Sequence, residues 1–413
     1  MRKMQTAVRH LSALCSRKMR YGLLLAVANS SLFTLHSSLT SCAEEDDAQL
    51  EQRAVGFGTY TEQFQTRGEL RGAIPDGGSM GVYAYLHDNA LWATDAENNQ
   101  PNFMWNQQAT YSAEVDAFTY APLKYWPNEE SDKLSFIAYY PYTSESPGHA
   151  EEPAYPDNAS GLKTLLPSSG TGLPTFSFTV KDAAASQVDL LVSDLVTDLP
   201  QSRDTEGDPG TPFNDLSIYD KVTFLFHHAL AKVEIRVVAD ADIRKDLESF
   251  AIQSPGITLS NIYNDGTLTT AYSAGNTTLT WGSHSTTTSY TFKTYVPQLL
   301  MPQTLIDDAT LSLTYTMTFK SDGTSYHYYG SQEGEEGTVT GTLVADEHYT
   351  YSNTASIQLN KMKLTGSGEE LTEWLPNHHY VYTIRLRANQ IGFTGQVVDW
   401  GEYLTPPDIK IEE

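Results

Sequence analysis

The chain has 413 residues, 40% of them hydrophobic and 19% charged, a balance that excludes intrinsic disorder and fibrous repeats. Its 26 Lys+Arg against 51 Asp+Glu give a formal net charge of −25, which argues against nucleic acid or anionic lipid headgroups as partners, since both need a basic face. Two cysteines, Cys15 and Cys42, are too few for a disulfide framework or a cysteine-based zinc site.

Residues 1–41 carry Arg2, Lys3, Arg9, Arg17, Lys18 and Arg20 and no acid, followed by an apolar run from Tyr21 that Ser, Asn and His interrupt. A basic region, an apolar region and then small residues describe an export signal, too short and broken to span a bilayer comfortably. Met19 is an alternative start. The apolar region ends at Leu39-Thr-Ser-Cys42, which resembles a bacterial lipobox, so Cys42 is expected to become the first mature residue and to carry the lipid. An ordinary cleavage near Ser41 would leave Cys42 as a lone thiol in an oxidising compartment, a liability unless it is modified. Removing residues 1–41 strips six positive charges and no acids, which takes the net charge from −25 to −31. Residues 42–53 form an acidic tether, Ala43-Glu-Glu-Asp-Asp47, that ends at Arg53; Arg67 and Arg71 follow closely. Arginines in an exposed N-terminal segment are natural sites for a trypsin-like protease, and these three are the candidate cleavage positions.

Beyond the tether, side-chain alternation dominates. Val82, Ala84 and Leu86 oppose Tyr83 and Tyr85, and Phe136–Tyr140 is expected to be an interior strand cut off by Pro141. Phe176, Phe178 and Val180 form a shorter case. In 222–238 the apolar set is even at Val222, Phe224 and Phe226, then odd at Ala231, Val233, Ile235 and Val237. A one-residue phase shift turns the side chains to the other face, so the chain must bulge or cross between sheets near His227-His228-Ala229. A similar switch is expected at Gly395. The one helix candidate is Asp240–Ser249, with Ile243 and Leu247 four apart. Leu311, Leu313, Tyr315, Met317 and Phe319 alternate with five Ser/Thr residues, and Tyr380, Tyr382, Ile384 and Leu386 repeat the pattern. Short strands, Gly/Pro/Asn turns and little helix imply β-sandwiches, and about 370 mature residues suggest two of them. The expected domains are 54–239 and 240–400, with a tail at 401–413; the acidic loop at 200–214 is the other candidate boundary.

Catalytic signatures are scarce. No nucleophile elbow, zinc helix or phosphate loop occurs, so neither catalytic residues nor a cofactor are assigned. The pairs His227-His228 and His378-His379 would point to opposite faces of a strand and cannot easily grip one metal. Asp204, Glu206, Asp208 and Asp215 match a calcium-loop spacing, but Pro209 stands where that loop needs Gly, and a solvated acidic loop is preferred; no metal is assigned. Trp92, Trp105, Trp126 and Trp281 are candidates for stacking on sugars, with core packing the expected fate of most.

In order along the chain stand Phe57, Thr66-Arg67, Met80-Gly-Val-Tyr-Ala-Tyr85, Tyr125-Trp-Pro127, Leu134–Pro141, Asp189-Leu-Leu191, Val222–Ile235, Val296–Pro302, Trp374, Tyr380–Ile384, Ile391-Gly-Phe393 and Val398-Asp-Trp400. This series resembles the fimbrillin-like (Mfa-like) lipoproteins of Bacteroidetes, the pilins of the type V pathway. The resemblance implies an all-β chain of two tandem transthyretin-like β-sandwich (Greek-key) domains, exported as an outer-membrane lipoprotein to the cell surface. It also implies that an arginine-specific protease removes an N-terminal segment, with Arg53 the first candidate by position, and that another pilin subunit adds a strand to the opened edge. The tail Tyr403–Ile411 is a candidate donor, although Pro406 and Pro407 interrupt it, which would suit a tip, accessory or anchor subunit. A host or bacterial surface receptor is a further possible partner. The alternative is a monomeric surface lipoprotein that binds a glycan or host ligand; a secreted hydrolase is disfavoured by the missing motifs.

Overall fold

The computed structural model describes residues 54–61, 74–94, 99–127, 129, 131–144, 161–165, 171–200, 221–239, 247–320, 327–329, 336–338, 348–387, 391–398 and 400. Among them the regular structure is β throughout, apart from two 3-10 turns at Ala184–Ser186 and Leu359–Lys361.

The N-terminal half supplies β1 (Gly56–Thr61), β2 (Ser79–His87), β3 (Met104–Ser112), β4 (Ala117–Thr119), β5 (Lys133–Tyr140), β6 (Leu162–Leu165), β7 (Thr175–Thr179), β8 (Leu191–Ser193), β9 (Val196–Pro200) and β10 (Lys221–His228). Eight of these form sheet I, in the order β1-β10-β8-β5-β2-β3-β4, with β9 on β5. Sheet I is buried on both faces, so its central strands read as continuous apolar runs; Val82, Tyr83, Ala84 and Tyr85 are all sealed. Tyr83, Tyr85, Ile137 and Tyr139 face one core, whereas Val82, Ala84, Phe136 and Phe224 face a second. Gly81 lets Tyr139 lie flat on the sheet: a Cβ there would sit 2.2 Å from the tyrosine ring. The interior strand expected at 136–140 is thus β5, and the Phe176/Phe178 alternation is β7.

The rest of the chain adds β11 (Ala231–Ala239), β12 (Leu247–Tyr263), β13 (Asp265–Ser273), β14 (Asn276–Gly282), β15 (Thr287–Phe292), β16 (Gln298–Leu300), β17 (Gln303–Thr304), β18 (Thr310–Lys320), β19 (His327–Tyr329), β20 (Glu336–Thr338), β21 (His348–Gln358), β22 (Glu373–Trp374), β23 (His379–Leu386) and β24 (Ile391–Val398). Sheet II has the order β14-β13-β7-β6, sheet III β16-β11-β23-β24 and sheet IV β15-β12-β18-β21. Sheet II covers the tyrosine face of sheet I, where the Tyr83 hydroxyl donates to Thr164 at 2.9 Å and the Tyr139 and Phe176 rings lie 5.1 Å apart. The inward faces of sheets III and IV complete the same apolar cluster.

The phase shift near His227-His228-Ala229 is a crossing. β10 ends in sheet I, and β11 pairs in parallel with β23 and antiparallel with β16 in sheet III. Three expectations need correction. The boundary drawn at 239/240 is not followed by the hydrogen bonds, because β11 joins C-terminal strands while β13 and β14 join β7. Gly395 marks no crossing: β24 stays in register with β23 from Ile391 to Val398, and its end emerges from the core. Of the helix expected over Asp240–Ser249, only Leu247–Ser249 is described, and it is the start of β12.

Sheets II and IV share one long ribbon. β12 runs into β13 through Asn264, a two-residue turn at Ala274-Gly275 reverses the chain, and β14 and β15 return beside them. The turn residues have φ of 51° and 87°, the left-handed pair that a two-residue hairpin favours. Where the returning strand changes sheet, the Asp265 carboxylate accepts from Ser285 N at 3.0 Å, from Thr286 N at 2.7 Å and from the Ser285 hydroxyl. Burial pushes the Asp265 carboxyl upward, but these donors outweigh it and hold it below the usual range. Trp281 on β14 donates its indole N–H to Ala229 O at 2.6 Å, tying the ribbon to the crossing.

Candidate functional site

The edge of sheet I is built from β1, whose alternation turns Phe57 inward. Phe57 points into the second core, and Gly56 and Gly58 flank it without side chains. β1 pairs in parallel with β10 over six positions, from Gly56 opposite Lys221 to Thr61 opposite Phe226. Phe57 is 2% exposed and packs against Phe224, Tyr120 and Phe136 at ring separations of 5.8, 5.4 and 6.3 Å. Val55, 1% exposed, is held by the strap at 120–126: its N–H donates to Lys124 O at 2.9 Å and its carbonyl accepts from the Tyr120 hydroxyl at 2.7 Å. Ala54 bridges to Tyr125. Sheet I therefore curls until β1 approaches β4, its opposite edge strand, and the first strand closes the wall over Val222, Phe224, Phe226, Phe136 and Trp126.

Two features make this edge chemically distinctive. A parallel pair needs no hairpin, so β1 is joined to its partner by hydrogen bonds and packing and not by a turn. Burying a phenylalanine side chain contributes about 1.5–3 kcal/mol, so losing β1 exposes an apolar slot that demands another occupant.

The candidate lipidation residue Cys42 and the candidate cleavage residues Arg53, Arg67 and Arg71 lie outside the described residues, as do the calcium-like loop and the tail at 401–413. In sequence, Arg53 precedes β1, and Arg67 and Arg71 follow it. Trp400, the last described residue, lies beside the crossing. The Trp400 ring stacks on His228 at 4.0 Å, and Lys232 Nζ donates to Trp400 O at 2.8 Å. Burial lowers the Lys232 ammonium pKa, opposed by the charges of Glu234 and Asp189.

The histidines separate as period-2 geometry demands. His227 meets Asp194 at 3.2 Å and His228 meets Asp189 at 2.7 Å, each with its own carboxylate. Among the described residues no group of three or more His, Cys, Asp or Glu side chains is placed to hold a metal ion. Trp92 and Trp126 are core residues, and Trp281 is half-buried against the main core. Ser135 and His87 share a 3.1 Å contact inside sheet I, sealed from any substrate.

One cluster escaped the sequence reading. Glu234 and Arg236 lie on the face of β11 opposite Val233 and Ile235, yet they are only 7% and 9% exposed. Arg236 Nε donates to Glu234 at 2.6 Å, His379 Nε2 lies 3.4 Å from the other carboxylate oxygen, and the guanidinium sits 5.7 Å from the Tyr295 ring centre. Burial raises the Glu234 carboxyl, but His379 and Arg236 outweigh it and hold the group at about 2. The signal was the Lys232-x-Glu-x-Arg236 alternation, which showed the face but not that it is covered.

The family model described as Fimbrillin-like matches residues 66–400. The fimbrium subunit Fim1C of Phocaeicola vulgatus is 30% identical over 232 residues, 53% of this chain and 54% of that protein, so the match spans about half its length. A crystal structure of a fimbrial protein from Bacteroides vulgatus aligns over 84% of this chain and 99% of that one, with TM-score 0.51 at 18% identity, a likeness of fold. A fimbrial assembly protein from Parabacteroides distasonis aligns over 84% and 100%, with TM-score 0.38 at 11% identity.

Proposed function

The chain belongs to the fimbrillin-like family, and from that premise we propose that it is a structural or adhesive subunit of a surface fimbrium, assembled by exchange of strands between copies. The observation that carries this reading is β1: a single parallel edge strand that closes an apolar wall with Val55 and Phe57 and has no hairpin to its neighbour. Loss of β1 leaves β10 with unpaired backbone groups beside Phe224 and Tyr120. A strand from another subunit restores both the ladder and the buried ring. The trigger is hydrolysis at one of Arg53, Arg67 or Arg71 by an arginine-specific protease. The lipid on Cys42 holds the precursor on the outer membrane, at the cell surface. The placement of Trp92 and Trp126 in the core gives the glycan-binding alternative no stacking platform from those two residues.

The test is direct. Purified precursor treated with an arginine-specific protease is expected to give a ladder of oligomers that resists detergent until boiled. A chain that is cut, loses β1 and stays monomeric contradicts the reading. Radiolabelled palmitate is expected to enter the wild-type chain and not Cys42→Ala.

A further inference from the structure

β14 is the outer strand of sheet II, and among the described residues β13 is its one strand partner. Natural edge strands are usually guarded by a lysine, a proline or a bulge, which stops other chains from pairing with them. β14 has none of these. It pairs with β13 from Asn276 to Gly282 with no register shift. No Asp, Glu, Lys, Arg or Pro occurs between Asp265 and Lys293, in a chain that is 19% charged. His284, in the bend beyond β14, is bonded to Asp265 O at 2.7 Å. β15 carries the same edge onward, but its partner strand β12 is irregular between Leu259 and Ile262. Ser273 and Asn276 flank the two-residue turn and so exchange hydrogen bonds with each other. Alternation then directs the N–H and C=O groups of Thr277, Leu279 and Trp281 away from β13. It also turns Thr278 and Thr280 to the exposed outer face, whereas Leu279 and Trp281 lie half-buried at the rim of the main core.

We propose that β14 is an interface between two copies of this chain, paired antiparallel about a two-fold axis at Leu279, so that sheet II continues from one copy into the next. The strand is bounded by the turn at Ala274-Gly275 and by Ser283, whose φ is 55°, and Leu279 stands at its middle. That register therefore uses the whole edge. Leu279 opposes its own counterpart, Thr278 opposes Thr280 of the second copy, and Thr277 opposes Trp281 of the second copy. Every outward backbone group gains a partner, and the half-buried Leu279 and Trp281 lose their remaining contact with water. Charge selects the occupant. At −25, two copies repel over most of their surface, so contact between them costs least at an edge that carries no charge. A cationic partner is drawn to the acidic surface instead. The contact uses neither β1 nor sheet I and needs no cut in the chain.

The experiment places the uncut full chain, under reducing conditions, in sedimentation equilibrium. The wild type is expected to show a concentration-dependent equilibrium between monomer and dimer. Thr278→Lys with Thr280→Lys sets like charges opposite each other across the axis and is expected to weaken the dimer roughly tenfold. Thr278→Lys with Thr280→Glu sets opposite charges at the same places and is expected to restore it. Both positions are exposed, so Tm should be unchanged in either variant. The register has a separate readout, in chains that also carry Cys15→Ser and Cys42→Ser. A mixture of Thr278→Cys chains and Thr280→Cys chains is expected to form a disulfide-linked dimer on mild oxidation. Neither chain alone should do so, because only directly opposed residues come within the Cα separation that a disulfide allows. The inference is overturned if the wild type stays monomeric at every concentration, if the two lysines leave the dimer unchanged, or if one cysteine variant cross-links as readily alone as in the mixture. Capture of a different protein at β14 without a dimer of this chain also counts against it.

Discussion

Two ribbons close sheets in this molecule, and they are built on opposite principles. β1 is one strand wide, parallel to its partner and free of any hairpin to it. The β12–β15 ribbon is one continuous hairpin, antiparallel from end to end, and spans two sheets. It is clamped at its bend by Asp265 and bound to the crossing by Trp281. The first is held to its sheet by one ladder and by packing, and not by a turn. The second cannot leave without unmaking both of its sheets. Under the proposed function, the difference teaches where the fold keeps its replaceable part: at an edge, on a parallel ladder, anchored by the buried Val55 and Phe57.

Substitutions can break or sharpen this contrast. The largest effect is expected from Phe57→Ala, about 3–5 kcal/mol for a fully buried phenylalanine, read by denaturant unfolding. The loss should appear as early release of β1, with sheets II to IV unaffected; simultaneous loss of all sheets would break the distinction. Next is Asp265→Ala, which strips the acceptor from Ser285 and Thr286 and should cost roughly 1–3 kcal/mol in thermal unfolding. Its effect belongs to the ribbon and should leave uptake of a 54–61 peptide by a cut chain unchanged.

The Glu234 cluster gives a pH test. The folded carboxyl sits near 2, below its ordinary value of 4.5, so its contribution is fully present above pH 4.5 and is lost as pH falls towards 2. Glu234→Gln should flatten the stability-against-pH curve in that window relative to wild type, and leave its slope above pH 5 alone. The smallest effect is a gain. Ala274→Asn places Asn-Gly at the left-handed turn and should stabilise the ribbon by up to about 1 kcal/mol, seen as a higher Tm.

Half-buried strands were legible because one of their faces meets water. Leu311 to Phe319 alternate with Ser/Thr, and β18 is indeed antiparallel to both β12 and β21. The crossing at 227–229 was legible because a period of two makes a one-residue shift visible. The partner sheet of a strand was not legible. Leu268 and Thr270 on β13 face a core, but nothing local says that the core belongs to β7 and not to β18. Gly395 misled because a strand end rising into solvent and a crossing both look like lost phase. At the candidate site, Phe57 was legible only through the resemblance: one apolar residue between glycines has no periodicity to read, and the ladder with β10 is what makes it a strand.

The central claim is that β1 opens by itself while the ribbon holds. Native-state hydrogen exchange of the intact chain at low denaturant measures this directly. The account predicts that the amides of Gly56–Thr61 exchange through a small opening with weak denaturant dependence, well before those of β12–β15. Exchange of both groups through the same global unfolding event, with the same denaturant dependence, would contradict it.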